Sequence, residues 1–165
     1  EFRRVLFRSN HEIKSQLAKL LATEDLVVEH KKVETACFNV HTRVLTLPMW
    51  ERASSTVYDL LVGHEVGHAL ETPDEDWTKN YTIPPQFVNV VEDARIEKLM
   101  KRRYPGLAKT FYKGYGELHD QDFFSVADED LDTYNLADKA NLYFKVGNFL
   151  KLDFSQEEKI GRAHV

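Results

Sequence analysis

Apolar and polar positions recur along this chain with two different periods, and the change from one to the other marks out its elements. From Glu12 to Ala22 the residues Ile13, Leu17, Leu20 and Leu21 fall on one helical face, which predicts an amphipathic helix. After Asp25 the period shortens. LVVEH, residues 26–30, is a short strand candidate, and ETACFNVHTRVLTLP, residues 34–48, predicts two short antiparallel strands ended by Pro48. Cys37 lies in the first of these and is expected to be buried and inert. Ser55 or Thr56 can cap a helix that runs to about Glu71, where Pro73 stops it. Residues 72–83 form a long polar connection with aromatic residues in it. Pro84 and Pro85 suit the first turn of a second helix, from about Gln86 to Arg103, which Tyr104-Pro105-Gly106 breaks. Leu107 to Leu118 predicts a third helix. The acidic stretch DQDFFSVADEDLDTYN then connects to a further helix from Leu136 to Leu150. A small sheet followed mostly by helices defines the α+β class.

Composition changes this picture at the ends. EFRRVLFRS, residues 1–9, and IGRAHV, residues 160–165, both look like translated sequencing-library adapter, and one is roughly the reverse complement of part of the other. Both are expected to be non-native. That leaves residues 10–159 as a fragment holding a single domain. Without Arg3, Arg4, Arg8, Arg162 and Glu1 the remainder is more acidic than the whole chain, whose net charge is −5. This balance disfavours nucleic acid or an anionic membrane as a partner. Cys37 is the only cysteine, which excludes a disulfide framework and a cysteine-rich zinc cluster. No apolar run reaches the roughly 18 residues that a spanning helix needs. The expectation is a soluble, cytoplasmic domain.

The chemistry concentrates in VGHEVGHAL, residues 62–70. His64 and His68 stand one helical turn apart on the same face, so both imidazoles can reach one ion. Zinc takes nitrogen ligands at about 2.0–2.1 Å, and two histidines fill half of its tetrahedral shell. Glu65 can then face water on a remaining position. Zinc lowers the pKa of such water, and a neighbouring carboxylate takes its proton as it attacks a carbonyl. The flanking Val62, Val66, Ala69 and Leu70 suit a buried helix. Gly63 and Gly67 each cost roughly 1 kcal/mol of helix propensity, which implies that something approaches the helix closely.

A third ligand is sought in NVVEDARIE, residues 89–97. Asp93 shares a helical row with Asn89 and Glu97, so it can ligate while one of those two steadies a ligand histidine from behind. Glu92 points about 100° away and has Ile96 in the corresponding place. Asp93 is preferred, with Glu92 as the alternative. Asp74, six residues after His68, stands where a metzincin pattern has its last histidine, but that pattern needs a glycine where Glu71 stands. Tyr81, in the loop between the two site helices, is a candidate to hydrogen-bond an oxyanion or to serve in a lid, although an aromatic loop anchor explains it as well. His30, His41 and His119 receive no role, and the basic end KLMKRR suits a helix C-terminus.

With these residues in hand, the chain resembles a zincin of the gluzincin-like kind, with an HEVGH helix followed by an acidic helix. VEDARIEKLMKRRYPGLAKTFYKGYGEL, residues 91–118, is similar to a stretch in metallopeptidases of tailed bacteriophages and to the region before the von Willebrand A domain of cobaltochelatase CobT-like proteins. The resemblance covers residues 28–150. It implies a minimal zincin-like fold, with a small antiparallel sheet beside the HExxH helix. It implies a zinc-dependent metallopeptidase acting on a peptide or protein in the cytoplasm, the host's in the case of a phage-encoded protein. It further implies a von Willebrand A-like continuation and a substrate strand pairing near Arg43 to Leu47. Glutamate is the commoner third ligand in gluzincins, and the spacing here leaves Asp93 and Glu92 open. The alternative function is a non-catalytic metal-binding assembly module related to the CobT-like partner subunits.

Overall fold

One helix organises everything else in the computed structural model, which describes residues 2–51, 53–75 and 82–162, with side chains from Glu12 to Lys159. The order is α1 (Phe2–Ala22), β1 (Val27–Lys31), β2 (Cys37–Asn39), β3 (Val44–Pro48), α2 (Ser55–Glu71), α3 (Pro85–Arg103), α4 (Gly106–Asp120), α5 (Leu136–Val146) and α6 (Gln156–Arg162). This is an α+β architecture. The organising helix is α2. Its residues Val57, Leu60, Leu61, Val62, Val66 and Ala69 are all buried, and they point in every direction around the axis. A helix that is apolar all round must lie inside, and α1, α3, α4 and the sheet pack against it. Ser54, one residue before the expected caps, accepts the first-turn bond from Val57 N at 3.1 Å.

The glycines of α2 divide into two kinds. A Cβ on Gly67 would come within 2.8 Å of Ile96 Cδ1 and 3.1 Å of Met100 Cγ, so a side chain there would have to push these two residues of α3 aside. A Cβ on Gly63 would meet Phe111 at 3.4 Å, an ordinary contact, so space does not demand that glycine. About two turns before Gly67, α4 reaches α2 through Gly114, where a Cβ would be 2.7 Å from Leu60 Cδ1.

The sheet is mixed, whereas antiparallel pairing throughout was expected. Its order is β1-β3-β2. β2 and β3 form the expected antiparallel hairpin, with Phe38 opposite Leu45, but β1 pairs with β3 in parallel, Val27 opposite Val44. The reason is insertion: β3 turns back between β1 and β2 and therefore runs in the direction of β1. A consequence follows for the expected substrate strand near Arg43 to Leu47. Over Val44–Thr46, β3 is paired on both sides, so this stretch is not a free edge. Cys37 is exposed and not buried, because β2 alternates and turns only Phe38 inward.

The hairpin turn also grips α2. Asn39 Oδ1 accepts from the His41 and Thr42 amides at 3.0 and 2.9 Å, and Arg43 takes a left-handed φ of 57°. The Arg43 guanidinium lies over the Phe38 ring and donates to the Ala69 carbonyl at 2.8 Å. Arg95 donates to the Glu71 carbonyl at 2.6 Å. Carbonyls at the end of α2 thus have cationic partners where the helix has none to offer.

Other boundaries shift modestly. α1 starts at Phe2, well before Glu12, and α5 stops at Val146 with Gly147 beyond it. α6 was not expected. It carries a capping box, Ser155 Oγ accepting from the Glu158 amide at 3.2 Å and Glu158 from the Ser155 amide at 2.6 Å. Among the described residues no helix is long and apolar enough to cross a membrane.

Candidate metal centre

α2 and α3 cross where Gly67 lets them touch, and that crossing brings the polar residues of both helices together. His64 and His68 project from α2 with ring centroids 5.0 Å apart and planes at 78°. Asp93 comes from α3. Its Oδ1 lies 3.3 Å from His68 Nε2 and 3.7 Å from His64 Nε2. One ligand atom from each of the three can be chosen so that all lie within 4.8 Å of one another, a group that could hold a metal ion. For zinc with bonds of about 2.0–2.1 Å, neighbouring tetrahedral ligands are about 3.3 Å apart. The Asp93–His68 edge equals that value and the Asp93–His64 edge is slightly longer.

The hydrogen bonds behind the rings make a stronger test of fit. Glu97, buried at 4 % exposure, bonds His64 Nδ1 at 3.0 Å through Oε1. A carboxylate only accepts, so His64 donates from Nδ1 and keeps a lone pair on Nε2. At His68 the chain is longer. The Thr72 hydroxyl donates to Glu92 Oε1 at 2.6 Å, which leaves its oxygen to accept from His68 Nδ1 at 2.9 Å. That also frees Nε2. When neutral, both imidazoles therefore carry their hydrogen on Nδ1 and turn the Nε2 lone pair toward Asp93, the state a metal requires.

The electrostatics follow from this packing. Burial pulls the His64 imidazole down, but the Glu97 bond and the Glu65 and Asp93 carboxylates more than offset it and leave it above its ordinary value. Burial raises Asp93, yet the two imidazoles and Lys145 hold it well below the usual carboxylate range. Burial likewise raises Glu97, and His64, Lys101 and Tyr115 bring it down. Glu65 differs. Burial raises it, and the nearby cationic groups do not cancel that, so its carboxyl sits above its ordinary value.

Each sequence candidate now has a place. His64, His68 and Asp93 converge. Glu65 is buried on the same helix, within electrostatic reach of all three. Glu92 turns to Arg95, with bonds of 2.7 and 2.8 Å, and to Thr72, so both of its oxygens are engaged outside the group. The support denied to it in the sequence reading comes from i+3 and from α2, not from Ile96. Glu97, and not the exposed Asn89, backs His64. Asp74 pairs with His41. Tyr81 lies outside the described residues.

Three participants escaped the sequence reading. Thr72 stands four residues after His68, a spacing that does place it behind the ring. Tyr115, from α4, donates to Glu97 Oε1 and is buried, its hydroxyl held well above its ordinary pKa by burial and by Glu97. Lys145, from α5, donates to Asp93 Oδ2 at 3.0 Å. A single cation inside LYFKVGNFL was its only signal. A cavity of about 480 Å³ beside the first turns of α2, lined by Trp50, Val57, Leu118 and Phe123 among others, contains none of these groups. Comparison with protein-family models, with curated proteins and with solved structures finds no match to this chain.

Proposed function

We propose that this domain is a zinc-dependent peptidase in which His64, His68 and Asp93 hold the metal and Glu65 is the general base. The observation that carries the reading is the convergence of two imidazoles, each bonded from behind at Nδ1 and turning Nε2 inward, on one carboxylate oxygen. Two nitrogens and one oxygen are the donor set of open zinc sites, which keep a place for water or substrate. A zinc ion held there supplies Lewis acidity, acidifying water and polarising a carbonyl. Glu65 would accept the proton that the attacking water loses and return it to the leaving amine. Glu97 and Thr72 keep the rings oriented, and the packed walls of α2 exclude bulk water from one side. Peptide as the substrate class comes from the resemblance of the paired helices to zincins.

The test is zinc content together with hydrolysis of a mixed peptide library. Wild-type protein should bind zinc stoichiometrically and cleave. Glu65→Gln should keep its zinc and lose hydrolysis by at least about a hundredfold. His64→Ala should lose both. Full hydrolysis by Glu65→Gln would end the peptidase reading, and stoichiometric zinc without any cleavage in wild type would favour the assembly module.

A further inference from the structure

We infer that Lys145 sets how Asp93 meets the metal: its ammonium keeps Oδ2 engaged, so that Asp93 binds through Oδ1 alone and one side of the ion stays open. This rests on the metal site proposed above. The two oxygens of Asp93 face different partners. Oδ1 is the atom 3.3 and 3.7 Å from the two imidazole nitrogens, while Oδ2 receives Lys145 Nζ at 3.0 Å. A carboxylate can bind zinc through one oxygen or through both. With two histidines and a water in place, a two-oxygen aspartate would raise the shell from four ligands to five and crowd the position that substrate needs. A charge-assisted hydrogen bond to Oδ2 competes directly with that second metal bond.

The pair is not an ordinary surface contact. The side chains of Lys145 and Asp93 are 19 % and 21 % exposed, so solvent screens them less than an open ion pair. The lysine stem is anchored as well. Lys145 sits in the last turn of α5 beside the buried Leu142 and Val146, and α5 packs on α3. A cation in a last turn meets the helix dipole favourably, but the dipole does not aim it at Asp93. Asp93 is where it goes. Lys145 is on this account a positioning residue, acting through the ligand and not on the substrate.

Cobalt(II) in place of zinc reads the coordination directly, because four-coordinate cobalt absorbs visible light more strongly than five-coordinate cobalt. Lys145→Met removes the donor and Lys145→Ala does so without adding bulk, which guards against a folding defect in either one. Both should still bind cobalt, with a loss of visible band intensity relative to wild type. With zinc, kcat should fall about tenfold at nearly constant KM. Lys145→Arg, which restores a charged donor, should recover both the spectrum and kcat. Wild-type cobalt spectra in Lys145→Met and Lys145→Ala would overturn the inference, as would a Lys145→Arg protein no better than Lys145→Met. Wild-type protein that takes up no cobalt would overturn it together with the metal site. Cobalt uptake without hydrolysis in wild type would sink only the peptidase reading, and the spectra of the variants would still decide the role of Lys145.

Discussion

The two histidines of α2 are the same residue on the same helix face, yet the protein supports them in different ways. His64 is backed from the interior. Glu97 bonds it directly, and Tyr115 and Lys101 in turn bond Glu97, the lysine at 3.2 Å. His68 is backed from the rim. Thr72 at the end of α2 stands between it and Glu92, and Glu92 is held by Arg95, whose side chain is 42 % exposed. One arrangement concentrates charge where water is absent. The other relays it through a hydroxyl and Glu92 to a guanidinium that water can reach. Buried polar groups cost heavily when they lose a partner, while exposed ones find water instead. The difference teaches that the ligand nearer the core should depend far more on its supporting residue.

Glu97→Ala should therefore give the largest effect. It leaves His64 Nδ1 and the buried Tyr115 hydroxyl without their acceptor and removes the partner of Lys101. Breaking such a buried cluster costs about 3–5 kcal/mol, read by denaturant unfolding of the metal-free protein. Zinc affinity should fall about 10–100-fold, read by competition with a chelating dye. A variant as stable as wild type, with unchanged affinity, would erase the distinction between the two supports.

Thr72→Val should act less. It keeps the shape and deletes the hydroxyl, so His68 Nδ1 loses its acceptor at a place where the side chain is 20 % exposed and water can replace it. The expected loss is about 1 kcal/mol of stability or less and under about tenfold in zinc affinity. Thr72→Ser should restore both. A loss equal to that of Glu97→Ala would mean that burial does not govern the support, and the comparison would fail.

The same contrast explains what could be read from the sequence. The HEVGH pair and Glu65 were legible because a helix of known pitch fixes which residues share a face. The row Asn89, Asp93, Glu97 was legible for the same reason: it offered Asp93 ahead of Glu92 as the carboxylate beside the imidazoles, and Glu97 or Asn89, without choosing between them, as the group behind one of the rings. The hairpin strands were legible from their alternation. What escaped depends on how elements meet. Tyr115 and Lys145 arrive from α4 and α5, which approach the site only after the chain has turned several times, and no local period encodes that. The parallel pairing of β1 with β3 is also tertiary, since alternation marks a strand without naming its neighbour. Cys37 was misplaced because the strand pattern did not say which face of so short a β2 turns inward. Glu92, the alternative ligand, instead supports His68 through Thr72, a role no spacing within its own helix shows, because its partners stand at Arg95 and across the gap at Thr72.

Arg95 is the outermost member of the rim relay, and its substitution should have the smallest effect of all. Its guanidinium holds both oxygens of Glu92 and also caps the Glu71 carbonyl, but it is exposed and screened. Burial raises the Glu92 carboxyl, and the bonds from Arg95 and Thr72 then carry it below its ordinary value. With Arg95→Gln, Thr72 still donates to Glu92, and Glu92 remains ionised near neutral pH. Stability should change by about 1 kcal/mol or less and zinc affinity by less than about threefold. The measurement gains force when paired with Thr72→Val in a double-mutant cycle. Additive losses would show that the relay ends at Glu92, with Arg95 acting on the end of α2 alone. A coupling above about 0.5 kcal/mol would extend the His68 support out to the surface guanidinium. In that case salt should weaken zinc binding through His68 while leaving the interior Glu97 bond untouched.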